Sequence, residues 1–409
     1  MKHIEAINCP ICKSSSVQNI LNLNCGRFDG STLYQNAVVN TCNDCGHIYN
    51  KLSSEEVQGL IKYYNEEYAP INMAANDNVG DRPGSANQFS TARYAQLYDL
   101  MKPFTNTGSR VLDVGCAMGG YLDYLYQQGF RNLFGIDLTQ KYVDHANKQG
   151  KYTINLGNAE SIPFSENYFD CLVIDQVMEH LVEPINAFKE AKRVLREGGF
   201  FCIAVPDASR YDEKYFFDFY WFIMREHIQH FDIEHLKLLA AQEGFELIDS
   251  KQSETIMMSE KMILPNLNLI FRSTGQRSKI NITSECLNLT KEMKKYVAND
   301  FEKLKKKKII IDGLIKSKRR VYAWGIGREF LYLYESAGLK ECNICGLIDA
   351  NPVKQNNFLL NWKKISDSSI LNKSTAGSVL IITAIAHTTQ IQKKLQEIGY
   401  LGEVLALEN

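Results

Sequence analysis

No stretch of this sequence approaches the ~20 consecutive apolar residues that span a bilayer, so a membrane-embedded protein is not expected. The start, MKHIEAINCP, lacks an apolar signal region and carries an early glutamate, so no signal peptide is expected and the cytoplasm is the default compartment. Neither sign of charge predominates: 46 basic and 47 acidic side chains leave −1 with histidine neutral. That excludes a surface that tracks nucleic acid throughout, although not a local basic patch. The rest is ordinary for a globular chain, 45% apolar and 23% charged. At 409 residues the chain exceeds one compact core, and about two to four domains are expected.

Cysteine is not scarce. Eleven are present, and in a reducing compartment they read first as thiols or metal ligands rather than disulfides. CPIC (9–12) and CNDC (42–45) each hold two thiols on a short loop, so Cys9, Cys12, Cys42 and Cys45 can close a tetrahedral zinc site. Gly46 suits the tight turn after the second pair. Four sulfurs leave no open position, which makes such a zinc structural. The alternatives are unrelated thiols or a redox pair, with Cys25 and His47 as substitute ligands. Cys342 and Cys345 have no partner pair and lead into an apolar strand.

Residues 87–104 have the pattern of an amphipathic helix. VLDVGCAMGGYLDYL (111–125) then reads as a buried strand, a turn eased by Gly115, Gly119 and Gly120, and a helix, the arrangement that cradles a nucleotide or nucleoside. A second strand ends in Asp137, 24 residues after Asp113, where a carboxylate can take both ribose hydroxyls. GNAESIPF (157–164), YFDCLVIDQVMEHL (168–181) and LREGGFFCIAVPD (195–207) supply a loop and further strands. The loop reads G-C-A-M-G-G rather than GxGxxG, which argues against a dinucleotide oxidoreductase. Asp113 would repel a pyrophosphate but suits the ammonium of S-adenosylmethionine.

The segment 291–320 holds twelve basic and four acidic side chains and reads as a helical linker with a solvated face; a landing site for phosphates is the sharper reading. Beyond it, VYAWGIGRE opens a second α/β unit. Gly325, Gly327 and Arg328 sit at a strand–turn–helix junction that suits an anion such as a diphosphate, unless the unit is a docking domain without a ligand. The expected fold is α/β, with an N-terminal zinc module at 1–75, a central class I methyltransferase Rossmann-like sheet at 76–260, a helical linker at 261–320 and a C-terminal Rossmann-like domain at 321–409.

The order DxGxxxG, acidic strand end, GNAExIPF, FDxxxxxxxxEH and LxxGGxF resembles class I S-adenosylmethionine-dependent methyltransferases over roughly residues 85–250. That resemblance implies that Asp113 and Gly115 line the methionine part of the cofactor, Asp137 holds the ribose, and Asn158 and Ala159 approach the adenine. Ala117 and Asn158 depart from the frequent glycine and aspartate. With the four cysteines in front and VYAWGIGRE behind, the whole architecture resembles bacterial C-methyltransferases of nucleotide-linked deoxysugars. By that likeness a Tyr-x-Glu-His segment sits over the sugar. The glutamate and histidine fall on Glu226 and His227, with His227 as base. The tyrosine falls on Met224, a departure, and a further family histidine matches His180.

REHIQHFD (225–232) follows the aromatic run YFFDFYWF (215–222), ground where ionisable groups are costly unless paired. Methyl transfer from a sulfonium needs alignment and removal of one proton. His227 suits that task, Glu226 can orient it or grip a hydroxyl, and His180 would reach the site from a strand end. His230 would share a face with His227 if the segment were helical, as a substrate contact. The bland reading has Glu226 opening a helix with His230 and His235 on its surface. Met224 cannot donate a phenol's hydrogen bond to an enolate, which tilts the expectation slightly to methylation of a sugar oxygen over a carbon beside a keto group. Two rivals are a zinc-bearing RNA base methyltransferase and an inactive scaffold with this fold.

Overall fold

The computed structural model describes residues 8–26, 31–73, 82–213, 219–256, 263–279, 281–357, 359–360, 363–372 and 375–407. The start MKHIEAI and positions 215–218 of the aromatic run lie outside them. The chain divides into two compact units. One comprises Met1–Leu21, Val38–Tyr215 and Glu226–Lys295; the other comprises Asn22–Ala37, Phe216–Arg225 and Tyr296–Asn409.

The first unit is built on a seven-stranded sheet. Its spatial order is Phe245–Ile256, Ile263–Ser273, Leu195–Pro206, Phe169–Asp175, Val111–Val114, Leu133–Asp137 and Thr153–Leu156. The last five of these run parallel, while Ile263–Ser273 pairs antiparallel with both of its neighbours. VLDV is buried at all four positions because helices cover both faces, which is why it reads as an apolar run rather than an alternation. Leu112 and Val114 serve one core and Val111 the other. In register, Val111 faces Leu133 and Cys171, so the ends of three neighbouring strands share one edge of the sheet. Order reverses there, and α/β sheets receive ligands at that place.

The helix expected at 87–104 forms over Gln88–Met101 with a 3-10 turn at Lys102–Phe104. Asn87 caps it by accepting from the Phe89 and Ser90 amides. The linker expected from 261 is corrected: Ile263–Ser273 is a strand inside the sheet, and the helix covers Asn288–Ser317. Pro265, Asn266 and Asn268 break the apolar pattern there. Both asparagines are nevertheless buried, and Asn266 donates to Asn268 Oδ1.

A small sheet takes the order Val17–Asn24, Asn36–Cys42, Ile48–Asn50 and Gln229–His230. In the second unit the order is Leu359–Leu360, Lys363–Ser366, Ile344–Ile348, Val321–Trp324, Val379–Ile382 and Glu403–Ala406, parallel except for the first pair. It too reverses beside its glycine turn, so the chain carries two Rossmann-like sheets. Among the described residues no helix is long and apolar enough to cross a membrane.

Gly46 has φ of +82°, and a Cβ there would lie 2.4 Å from the Cys286 carbonyl oxygen. Gly46→Ala should therefore cost about 1–3 kcal/mol for the backbone conformation alone. Calorimetry should show a lowered thermal midpoint; an unchanged midpoint would contradict this reading of the turn.

Candidate functional site

The four N-terminal cysteines converge. Cys9 and Cys45 sulfurs are 3.6 Å apart, Cys12 and Cys42 sulfurs 3.5 Å, and all four lie within 4.8 Å of one another. A tetrahedron with Zn–S of about 2.3 Å has edges of about 3.8 Å, so the sulfurs fit zinc. Both turns close alike. Lys13 N donates to Cys9 O and Gly46 N to Cys42 O, and both donors have left-handed φ. Cys25 and His47 lie elsewhere in the hydrogen-bond network: Cys25 Sγ faces Leu23 O, and His47 Nε2 faces Gln229 Oε1 at 2.8 Å.

The glycine turn and the two acidic strand ends meet at the shared sheet edge. Gly115, at φ +79°, leaves no room for a side chain, since a Cβ would stand 2.5 Å from Val177 Cγ2. At Gly120 a Cβ would meet the Ser85 carbonyl at 2.2 Å, so the chain before the Gln88–Met101 helix crosses directly over the turn. Asp137 Oδ2 accepts from Ala117 N and Oδ1 from Thr139 N, both at 2.9 Å. Each oxygen keeps lone-pair capacity for a ribose hydroxyl. Burial pushes the Asp137 carboxyl up to about 6. Asp113, 3% exposed, is pushed well above the usual carboxylate range by burial and then by Asp175. Arg93 is paired with Asp175. A cationic donor suits this excess of buried acid. Asn158 is exposed and its Oδ1 accepts from Glu160 N, while Ala159 is buried beside it.

The helical segment Ser54–Met73 contains a π-helical stretch, Tyr63–Tyr68, a distortion common at functional sites. Ala69 packs with Ala117 and Tyr142 over the glycine turn, and Thr139 Oγ1 donates to Tyr64 O. Tyr64 Oη lies 3.0 Å from His180 Nδ1, and Tyr63 Oη donates to Glu226 Oε1 at 3.2 Å. These tyrosines escaped the sequence reading, which placed them in the zinc module. The signal available was the aromatic doublet in KYYNEEY.

His180 and His227 come together, with ring centroids 5.2 Å apart. His180 Nδ1 is 2.7 Å from the Glu226 carbonyl, which only accepts, so Nδ1 carries the proton and Nε2 presents a lone pair. That lone pair lies 3.8 Å from Glu179 Oε1. Glu179 also escaped the sequence reading, although it directly precedes His180. It is 2% exposed, and burial raises its carboxyl to about 8. Among the described residues neither of its oxygens has a hydrogen-bond partner.

The loop carrying His227 is held from two sides. Asn50 Nδ2 donates to His227 O and Asn50 N to Ile228 O, while Ile228 N donates to Glu179 O. Gln229 Nε2 donates to Leu181 O and Val182 O. The segment is extended rather than helical, so the helical argument for His230 fails. His230 sits fully buried in the small sheet, edge-on to Tyr211. Among the described residues its ring nitrogens have no hydrogen-bond partner, and burial lowers its pKa to about 3 and holds it neutral. His235 is interior too. Its Nδ1 meets Asp232 and its Nε2 the Cys45 carbonyl. Against the cost of burial, Asp232 raises its pKa, and the imidazole bridges two acceptors.

In the second unit Gly325 has φ +101°, with Ala384 closing over it. Gly327 caps the helix Arg328–Ser336. Asp349 repeats the role of Asp137: its oxygens accept from Ile326 N and Asn351 N. Here, however, Lys354 neutralises it at 2.9 Å.

Two outcomes follow from these geometries. Cys42→Ser should lower zinc content from one ion per chain towards none, by atomic emission; full retention would remove Cys42 from the ligand set. Asp137→Ala should weaken S-adenosylmethionine binding by about 10–100-fold in calorimetry, the worth of hydrogen bonds to a charged acceptor. Unchanged affinity would take Asp137 out of the cleft's function.

A family model described as a methyltransferase domain matches residues 86–250. An uncharacterized methyltransferase of Schizosaccharomyces pombe is 29% identical over 134 residues, 28% of this chain and 47% of that protein. The tRNA U34 carboxymethyltransferase of Campylobacter hominis is 33% identical over 109 residues, 25% of this chain and 38% of that one. An uncharacterized 37.1 kDa transposon protein of Streptomyces fradiae is 32% identical over 138 residues, 32% and 40% of the two chains. The chain thus spans under half the length of each of these relatives. Among solved structures, an S-adenosylmethionine-dependent methyltransferase of Methanosarcina mazei is similar with a TM-score of 0.37 and 18% identity, covering 43% of this chain and 97% of that one. Matching sequence, strand order, glycine turn and acidic strand ends make residues 86–250 a class I S-adenosylmethionine-dependent methyltransferase domain.

Proposed function

We propose that the protein transfers a methyl group from S-adenosylmethionine to a nucleotide-linked sugar, with His227 as the base. The observation that carries this is the pairing of two imidazoles, His180 and His227, within the unit that holds the cofactor cleft. Thr139, beside Asp137, bonds Tyr64, and Tyr64 bonds His180, so the ribose end of the cleft runs directly into the histidines. Glu226 and the tyrosine hydroxyls suit an acceptor rich in hydroxyl groups. The donor brings its own activation, and the side chains need only align the acceptor and take one proton. Within the second unit taken by itself, Gly325, Gly327 and Arg328 are proposed as an anion site of the kind that takes a diphosphate, supported by the tight turn and by Lys354 beside it; Glu329 at the same helix start opposes an anion.

Methylation of oxygen was favoured because Met224 replaces a phenol. Tyr63 and Tyr64 now supply phenols from another part of the chain, beside Glu226 and His180. That observation favours a second reading, methylation of carbon next to a keto group. An RNA acceptor has less support. The basic helix spends Lys295 on Asp212, Lys305 on Glu302 and Lys308 on Asp312.

Incubation with S-adenosylmethionine and a panel of keto and hydroxyl sugar nucleotides should give an acceptor heavier by one methylene. Methylated RNA with unchanged sugars would overturn the proposal. His227→Ala should slow turnover by about 10²–10⁴-fold and leave cofactor affinity intact; unchanged turnover would remove it from the base role.

A further inference from the structure

We infer that Glu179 is a further catalytic residue, a carboxylic acid that donates its proton in a hydrogen bond to the carbonyl oxygen of a keto-sugar acceptor. This rests on the methyltransferase reading and narrows its substrate class to a carbon acid beside a ketone. Two observations carry it independently of any likeness. Glu179 is 2% exposed, and among the described residues neither carboxyl oxygen has a hydrogen-bond partner. Its carboxyl also lies beside the imidazoles of His180 and His227, the three groups' ligand-type atoms being within 4.8 Å of one another.

An ionised carboxylate in such a place would be a buried charge without a partner, which is far costlier than a buried acid that keeps its proton. The groups facing Glu179 compensate only in part: its own backbone amide and Arg93 favour the charged form, and burial outweighs them. His180 and His227 approach from one side, and burial lowers the His180 pKa. Asp175 adds like charge, and Arg93 is already paired with it. Tyr64 and Tyr211 are phenols held above their ordinary range by burial. Glu226 is engaged by Tyr63. The direction of the Glu179 shift, to about 8, agrees with this geometry.

The chemistry balances. His227 takes the proton of the C–H beside the carbonyl, and the C–H electron pair becomes the enolate double bond. The carbonyl oxygen gains the charge and accepts the Glu179 O–H hydrogen bond. The enolate carbon attacks the sulfonium methyl, so that a C–C bond forms, the C–S bond breaks, and sulfur leaves with the electron pair as a neutral thioether. The carbonyl re-forms and His227 releases its proton to solvent. For a hydroxyl acceptor no such oxygen develops charge beside the reacting carbon, and a donor there would have no task.

The test has two arms. Infrared difference spectra at pH 7 should show the carbonyl stretch of an undissociated acid that disappears in Glu179→Gln. In the same pair of proteins, wild-type stability should decline from pH 4.5 to about 8, because over that window the folded chain keeps a proton on Glu179 that the unfolded chain has released, and Glu179→Gln should decline less steeply, keeping only the share of the other raised carboxyls. With S-adenosylhomocysteine in place of the donor, a nucleoside-diphosphate-linked 4-keto-6-deoxyhexose should exchange its α-C–H for solvent deuterium. Glu179→Ala should slow that exchange by about 10²–10³-fold, as loss of one oxyanion donor does. Glu179→Gln, which keeps an N–H donor, should stay much nearer wild type and lose the wild type's fall in rate above about pH 8. The inference is overturned by absence of the band, by Glu179→Ala exchanging as fast as wild type, or by a divalent ion held on Glu179, His180 and His227. If no sugar exchanges or is methylated, the sugar reading fails, while the infrared band and the stability profile still decide the state of Glu179 by themselves.

Discussion

Buried acid without matching base is the constraint on which this site depends. Asp113, Asp137, Asp175 and Glu179 lie along one cleft edge of the first unit, and the cation drawn to them, Arg93, is taken by Asp175. Carboxylates removed from water must find a counter-charge, accept hydrogen bonds or keep their protons. The cleft uses all three solutions. Asp175 has its arginine, Asp137 has two backbone amides, and Glu179 has neither. Asp113 is held above the usual carboxylate range by burial and by Asp175. A sulfonium donor that also carries an ammonium answers such a surface, whereas a diphosphate would be repelled by it.

The loop carrying His227 is held by the hairpin that follows the second cysteine pair. Ile48–Asn50 pairs with Gln229–His230, Asn50 grips the backbone of His227, and His235 reaches the Cys45 carbonyl. The four-cysteine cluster therefore lies in the same hydrogen-bonded network as the loop that carries His227. His47, His230 and His235 are all interior: His47 meets Gln229, His235 meets Asp232 and the Cys45 carbonyl, and His230 packs against Tyr211.

Much of this was legible in the sequence because it is local. A CxxC knuckle, a glycine turn after VLDV and an acid at the next strand end each need only a few neighbouring residues. The Gln88–Met101 helix follows from its own periodicity and its asparagine cap. What stayed hidden was decided by distant pairing. Gln229–His230 is a strand only because Ile48–Tyr49 lies alongside, so a reading of 225–232 alone drifts to a helix with surface histidines. Ile263–Ser273 is a central strand although proline and asparagines interrupt it, since those asparagines bond within the sheet. Tyr63, Tyr64 and Glu179 acquire their places from packing against the cleft, and nothing in their immediate surroundings announces it.

The central claim is that Asp113 and Asp137 hold protons until a cationic donor arrives, while Glu179 keeps its proton throughout. The direct measurement is calorimetry of S-adenosylmethionine binding near pH 6 in buffers of different ionisation enthalpy, beside the same titration with S-adenosylhomocysteine, whose sulfur is neutral. The account predicts proton release with both ligands and more with the sulfonium. Equal release from the two, or none from either, would contradict it.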